Sequence, residues 1–520
     1  MEADKPFDAT ALADTVLRSS DNVHFYVLGA FLRYASPTFR DLFSLSQGSA
    51  TDKNEIKDGY PIIPLPEDSK AIHCLLSIIH PYINKPKLDD GRLLIEVWEM
   101  AEKYGMDTVV GKLQKRLLKD QWMKNQPQRV FAIAVIFGWK DGAEKAKQKL
   151  VSKKKVPYCD EFEEISGADY YGLLEHRFCH ENPERTQHQV AALDRDDDTS
   201  VSNFLAISCV ILNSFRQTNI RDASEPFDSQ AKADIILRSS DAVDFYVSQP
   251  LLQLISPVFD QLFSNTEGSD SKNGLRVVHV TDRSRAFRHF LLALHHCMDK
   301  PPVENPGLIA EICEVARKYA MPTIEARMKE QLTASSSLVE NPLGVYAIAT
   351  ALGWADVAKV AAKNTLNAPL EEAIIYVPEL WCITGGDLHR LMNYRSKCAK
   401  MACKVVRNSQ IHQDYGPGCL ASHLRHHTPH GVSSRESSGA HEANDIEEKL
   451  KACPRGTTYT NIFAQLNDVF DEKHGLECWP VASAVGFVRC CKVVADAIEE
   501  EVDKVAILQH KHGHIEEPWG

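Results

Sequence analysis

Thiols and imidazoles are densest between residues 398 and 430, where Cys398, Cys403, Cys419, His423, His426, His427 and His430 fall in one stretch. Cys and His are the side chains that bind zinc. His423 and His427 would share a face if that stretch were helical. A closed zinc site needs ligand pairs at short, fixed spacings. None occurs here, and Pro417, Pro429 and the intervening glycines work against a helix that could align the ligands. The stretch reads as two ordinary helix cysteines followed by a flexible histidine-rich loop, and no metal ligand is assigned. A metal-binding regulatory protein that uses this C-terminal Cys/His cluster is the alternative reading of the chain.

Other chemistry finds less support. The run Asp194–Asp198 has the acidity of a calcium loop, but Thr199 stands where the loop needs Gly and Leu205 where it needs Glu. There is no GxxxxGK[ST] phosphate loop, no GxGxxG after a strand, no HExxH and no GxSxG. No catalytic residue, cofactor site or cofactor is assigned, and the chain is not expected to be an enzyme. Trp139 and Trp354 could anchor a partner peptide, but a large aromatic after a Gly more often locks a helical hairpin. Lys153-Lys154-Lys155 reads as a solvated helix end that complements the helix dipole.

Composition narrows the classes further. The 520 residues are enough for two or more domains, with an ordinary 44% hydrophobic and 25% charged composition. The net charge of −12 disfavours direct nucleic-acid or anionic-membrane binding. Fourteen cysteines without a CxxC pair, behind an acidic N-terminus with no apolar core, imply a reduced intracellular setting in cytoplasm or nucleus. The longest apolar runs, Val130–Phe137 and Phe204–Leu212, fall far short of the roughly 20 residues that span a bilayer.

The elements that organise the chain occur twice. Ala13–Ser44 and Ala233–Ser264 align without a gap, and 18 of 32 positions are identical. Each copy reads as strand, tight turn, strand and helix. Val16-Leu17 and Ile235-Ile236-Leu237 are short buried-strand runs. Ser19-Ser20-Asp21 and Ser239-Ser240-Asp241 are turn formers. Phe25-Tyr26-Val27 and Phe245-Tyr246-Val247 complete a hairpin. Ser36-Pro37 and Ser256-Pro257 begin a helix, with Ser as N-cap and Pro at the first helical position.

This order, Ala-Asp-strand, Ser-Asp turn, Phe-x-Val, apolar helix, Ser-Pro-x-Phe-x-x-Leu-Phe, resembles the opening of a BTB/POZ domain, in the form common in fungal proteins. Relatives often carry His-Lys or His-Arg directly after Phe-x-Val. Here those positions are Leu28-Gly29 and Ser248-Gln249, so no role of that pair is carried over. The resemblance implies dimerisation units, transcriptional scaffolds or substrate adaptors for cullin-type ubiquitin ligases. It also implies that the helix after the hairpin lies at a dimer interface.

The repeat continues. Tyr60–Leu65, with its prolines, reads as an edge strand, and Arg276–Val280 is its counterpart. Helical spacing follows in Ile72, Leu75, Leu76 and Ile79, and again in Leu93, Leu94, Val97, Trp98, Ala101 and Tyr104. Pro127–Trp139 aligns with Pro342–Trp354 as a helical hairpin, for which Asn125 and Asn341 are N-cap candidates. Gly167-Ala168-Asp169 aligns with Gly385-Gly386-Asp387. The expected fold is α+β: two BTB/POZ-like units, each of three short strands plus a helical bundle, with helical extensions and a partly disordered C-terminal tail. The expected segments are 10–122 and 230–334 for the two units, 123–180 and 335–408 for their extensions, and 181–229 for a linker. Residues 409–450 form a disordered His/Ser-rich segment, and 451–510 a C-terminal helical one.

The first helix of each unit carries the expected interface. Phe31, Leu32 and Tyr34, and likewise Leu251, Leu252 and Leu254, cover more than one helical face, whereas a surface helix needs a single apolar stripe. The spare face should meet something. The whole reads as a non-enzymatic protein–protein interaction protein, a dimerisation scaffold or adaptor. Its partners are proteins, a cullin among the candidates, and its two units pair within the chain or as a homodimer. Tethering favours pairing within the chain, through effective concentrations of up to millimolar order.

Overall fold

A computed structural model of the chain describes residues 1–46, 55–80, 86, 88–153, 155–181, 220–264, 270–294, 305–408, 446–461 and 481–507. The runs Asp194–Asp198, Phe204–Leu212, 410–444 and Ile462–Phe470 lie outside the described residues. The chain forms two units, Met1–Ile165 with Gly172–Gln189, and Ser166–Tyr171 with Val190–Gly520.

In the first unit, β1 (Thr15–Arg18) and β2 (His24–Val27) form the expected antiparallel hairpin. Ser19 Oγ accepts from Val23 N at 2.9 Å to close the turn. Asp21 then accepts from the backbone N–H and hydroxyl of Ser69, at 2.9 and 2.7 Å. The Ser19 and Ser69 hydroxyls hold its carboxyl below the usual range. α1 (Gly29–Ala35) and α2 (Pro37–Ser46) follow. As the Ser-Pro pair predicts, Ser36 Oγ accepts from Phe39 N at 3.0 Å, and it also donates to the Tyr104 carbonyl.

β3 (Ile56–Lys57) and β4 (Tyr60–Pro64) complete a four-stranded sheet of order β2-β1-β4-β3. The edge position expected for Tyr60–Leu65 is corrected: β4 lies inside, parallel to β1 and antiparallel to β3. The register explains why its prolines are tolerated. Pro61 falls outside the ladder with β1 and Pro64 outside the ladder with β3.

α3 (Ser69–Ile79), α4 (Gly91–Lys103), α5 (Asp107–Leu117) and α6 (Asp120–Asn125) follow. The apolar face of α4, with Leu94, Val97, Trp98 and Ala101, is buried. α7 (Pro127–Ile136) and α8 (Lys140–Val151) form the hairpin of the extension. Gly138 turns it at φ 61°, where a glycine escapes the clash of a Cβ, and Trp139 N donates back to Ala134 O at 2.7 Å. Trp139, partly buried, packs by Trp98 of α4 at 6.0 Å. The expected cap at Asn125 is corrected. Asn125 ends α6, and the position before α7 is Gln126, which makes no side-chain cap. α9 (Gly167–Glu181) closes the extension, started by reciprocal Ser166–Asp169 hydrogen bonds.

The second unit repeats this plan. β5 (Arg221–Asp222), β6 (Ile235–Arg238) and β7 (Val243–Val247) are followed by α10 (Gln249–Ile255) and α11 (Pro257–Ser264). β8 (Ser271–Lys272) and β9 (Leu275–His279) complete a five-stranded sheet of order β5-β7-β6-β9-β8. Then come α12 (Ser284–Leu294), α13 (Pro306–Lys318), α14 (Pro322–Ala334) and α15 (Ser337–Glu340). α16 (Pro342–Ala351), α17 (Ala355–Asn364) and α18 (Leu370–Ala373) lead to α19 (Gly385–Asn408). Here the Asn cap is present: Asn341 Oδ1 accepts from Gly344 N at 3.0 Å. Asp241 meets Ser284, and Ser256 meets Tyr319, as Asp21 meets Ser69 and Ser36 meets Tyr104. Ser166–Tyr171 belong to this unit. Ser166 bridges Thr384, and the Tyr170 hydroxyl lies 2.8 Å from His389 Nδ1. α20 (Val481–Lys504) packs on α19, and Lys363 pairs with Glu499 and Asp503 at 3.1 and 2.6 Å.

Candidate interaction surface

Each first helix is short and is fixed at its start by a carboxylate. Gly29 N donates to Asp14 Oδ1 and Gln249 N to Asp234 Oδ1, both at 2.6 Å. Those aspartates belong to the repeated Ala-Asp pair, so the same residue that precedes β1 or β6 also aims the helix. Ser36 and Ser256 then turn the chain into the next helix.

The six residues expected at an interface divide by face. Leu32 and Leu252 turn into the core, 1% and 2% exposed. Phe31 is half-buried, with its ring 5.1 Å from that of His80. Tyr34 and Leu254 stand outward at 90% and 84% exposure, and Leu251 at 39%. Tyr34 and Leu254 occupy the same position of the repeat. Phe31 with Tyr34, and Leu251 with Leu254, are three residues apart and so share a strip of the helix surface. The chain therefore presents two equivalent short helices, with Tyr34 in solvent on the first and Leu254, flanked by the partly exposed Leu251, on the second.

The cysteine cluster takes a different place. Cys398 and Cys403 are buried in α19, and burial pushes the Cys398 thiol up to about 11. Cys403 Sγ points to the Glu447 carbonyl at 3.8 Å. Cys419, His423, His426, His427 and His430 lie outside the described residues. Among the described residues, no group of three His, Cys, Asp or Glu could hold a metal ion. No described helix is long and apolar enough to cross a membrane.

Compared with known families, residues 3–121 and 224–336 match the BTB/POZ domain. The chain carries two BTB/POZ domains in tandem. No curated protein matches it. The BTB/POZ matches begin before the repeated stretch from which the domains were first read, and they take in Pro6-Phe7-Asp8 and Pro226-Phe227-Asp228. Phe7 and Phe227 are buried, and their carbonyls accept from Tyr26 N and Tyr246 N at 2.9 and 3.0 Å. The repeated Pro-Phe-Asp was the available signal for these residues. BTB/POZ domains are generally protein–protein interaction and dimerisation modules, and both copies here keep the first helix intact.

Proposed function

We propose that this chain is a non-enzymatic scaffold or adaptor whose two BTB/POZ domains bind protein partners through their first helices. The exposure of Tyr34 and Leu254 at one repeat position carries the reading. An outward tyrosine and an outward leucine on equivalent capped helices offer the apolar centre that protein contacts use. A contact through these helices, whether with the other domain, a second chain or another protein, would cover those side chains. The segments 10–122 and 230–334 act as the domains, with 123–180 and 335–408 as their extensions. All nine described cysteines are free thiols, which supports action in the cytoplasm or nucleus.

Light scattering on the full chain tests this. Self-association above the 58.2 kDa of one chain is expected, with loss of it in the double variant Tyr34→Glu, Leu254→Glu. A wild-type monomer that the double variant leaves unchanged, and that still binds its protein partners, would reject these helices as the contact. Among family roles, the cullin-ligase adaptor predicts a co-purifying cullin. The transcriptional scaffold predicts self-association and nuclear partners without one.

A further inference from the structure

The second domain keeps three acids of the first and drops the two arginines that serve them. In the first domain, Glu96 and Glu99 lie three residues apart on α4. Glu161 and Glu164 lie three apart on the 3-10 turn Asp160–Glu163 and at its end. Arg92 Nε stands 3.5 Å from Glu96 Oε1, and Arg129 Nε 3.2 Å from Glu161 Oε2. In the second domain the equivalent acids are Glu311 and Glu314 on α13 and Glu379 on the 3-10 turn Pro378–Cys382, with Cys382 in place of Glu164. The equivalents of Arg92 and Arg129 are Gly307 and Gly344.

Glu379 is left without a cation. It is 7% exposed, and among the described residues its side chain makes no ion pair and no hydrogen bond. A carboxyl this buried normally has a partner, as Glu161 has. The nearby arginines are engaged elsewhere: Arg317 pairs with Glu325 at 2.5 Å, and Arg283 and Arg285 act on Glu311. Glu379 Oε1 lies 3.6 Å from where a Cβ on Gly307 would stand, so it faces a position that carries an arginine in the first domain. The turn packs on α13, and residues three apart in a 3-10 turn eclipse, which sets Cys382 over Glu379. Burial, and then the Glu314, Glu379 and Glu311 carboxylates, push the Cys382 thiol up to about 11. Glu314 is exposed and Cys382 partly so, and the group ends inward at Glu379.

We propose that Glu379, with Glu314 and Glu311 around it, binds an arginine side chain of a protein partner. The first domain names the chemistry, because it meets the same carboxyl with a guanidinium of its own. A guanidinium forks onto a carboxylate through two parallel hydrogen bonds and sheds water more readily than an ammonium. The chain cannot return its own arginine by the first domain's route, since a Cβ on Gly344 would lie 2.5 Å from the Asn341 amide that caps α16. This deepens the reading of a partner-binding protein, and none of its residues lies on a first helix.

Titration of the isotope-labelled full chain with N-acetyl-arginine-N-methylamide, read from the amide resonances of residues 307–314 and 379–382, tests the proposal. Saturable shifts confined to those amides are expected, and none with the uncharged citrulline analogue. Glu379→Gln should weaken binding by about tenfold or more. Gly307→Arg, which sets an arginine beside Glu379 from within the chain, should abolish it. Wild-type resonances elsewhere in both variants show that the fold is kept. No shifts in the wild-type chain, or equal binding by Glu379→Gln, overturns the proposal and leaves the reading of the first helices standing. Tighter binding of free L-arginine assigns the site to an amino acid rather than a protein partner, and shifts of the same amides by zinc at lower concentration assign it to a metal; either result overturns it.

Discussion

Arg129 Nε stands 3.2 Å from Glu161 Oε2, and the position equivalent to Arg129 in the second domain's extension is Gly344. Glu161 comes from a 3-10 turn, Asp160–Glu163, and enters beside the first residue of α4. A Cβ on Gly91 would lie 1.8 Å from its Oε1, so the glycine makes room for the carboxylate. Glu379, its counterpart, is 7% exposed, and among the described residues neither its Oε2 nor that of Glu161 makes a hydrogen bond, so it is the arginine that separates the two sites. Removal of one partner of a buried pair strands the other charge, at a cost of about 3 kcal/mol. Arg129→Ala should therefore destabilise the first extension by about that much and speed amide exchange in α4. Glu379→Gln should cost less than about 1 kcal/mol, because no cation is lost. Equal effects of the two changes would contradict this account.

Phe259 stacks on Tyr319 at 4.1 Å with rings 5° apart, and Phe39 on Tyr104 at 4.7 Å. Both phenylalanines are buried. Phe259→Ala should cost about 3–5 kcal/mol, from lost transfer free energy plus the cavity. Its effect should be confined to amides of the second domain, as native-state hydrogen exchange can show. An effect spread equally over both domains would refute this.

Glu314 gives a pH signature. Glu314 reaches solvent, yet desolvation by the protein crowded around it, and then the Glu311 carboxylate, push its carboxyl from 4.5 up to about 7, against the pull of Arg317. A raised acid is protonated in the folded state while the unfolded chain has already lost the proton. Its contribution to stability is complete below pH 4.5 and is lost as pH rises to about 7. The difference in urea midpoint between wild type and Glu314→Gln should therefore grow in favour of the variant across that window. A difference independent of pH would show that Glu314 titrates normally.

Arg395 is buried among carbonyls rather than carboxylates. It donates to Thr365 O, to Ala368 O at 2.9 Å and to Ala452 O at 3.4 Å, and burial pushes its pKa down to about 10. The equivalent Arg177 donates to Lys153 O at 2.9 Å. Both close the C-terminal end of the preceding helical hairpin, where carbonyls lack partners. Arg395→Leu should leave those carbonyls unpaired and speed proteolysis near residues 365–368 and 446–461. An unchanged cleavage pattern would argue that water replaces the guanidinium at no cost.

Much of this architecture was legible because local signals agree with the fold. The Ser-Pro caps, the Ser-Asp turns and the apolar face of α4 each depend on residues within a few positions of one another. The two-residue strands β3, β5 and β8 were not legible, since two residues carry no period. The interior place of β4 was missed because its prolines were weighed without the register that exempts them. On the first helix, the sequence shows two apolar faces, but only packing decides that Leu32 turns in and Tyr34 out.

The Ser36–Tyr104 bond joins residues 68 positions apart, and Ser256–Tyr319 joins residues 63 apart. On a ribosome that adds about 5–20 residues per second, Ser36 waits roughly 3–14 s for its acceptor. Ser256 is made about 150 residues after Tyr104, a further delay of roughly 8–30 s. By then Tyr104 is already engaged by its own domain, so the duplicate cannot capture it. Vectorial synthesis thus keeps two closely similar sequences from exchanging halves. Dilution of the whole chain from denaturant removes that order, because both serines meet both tyrosines at once, and refolded material should contain swapped species that newly translated protein lacks.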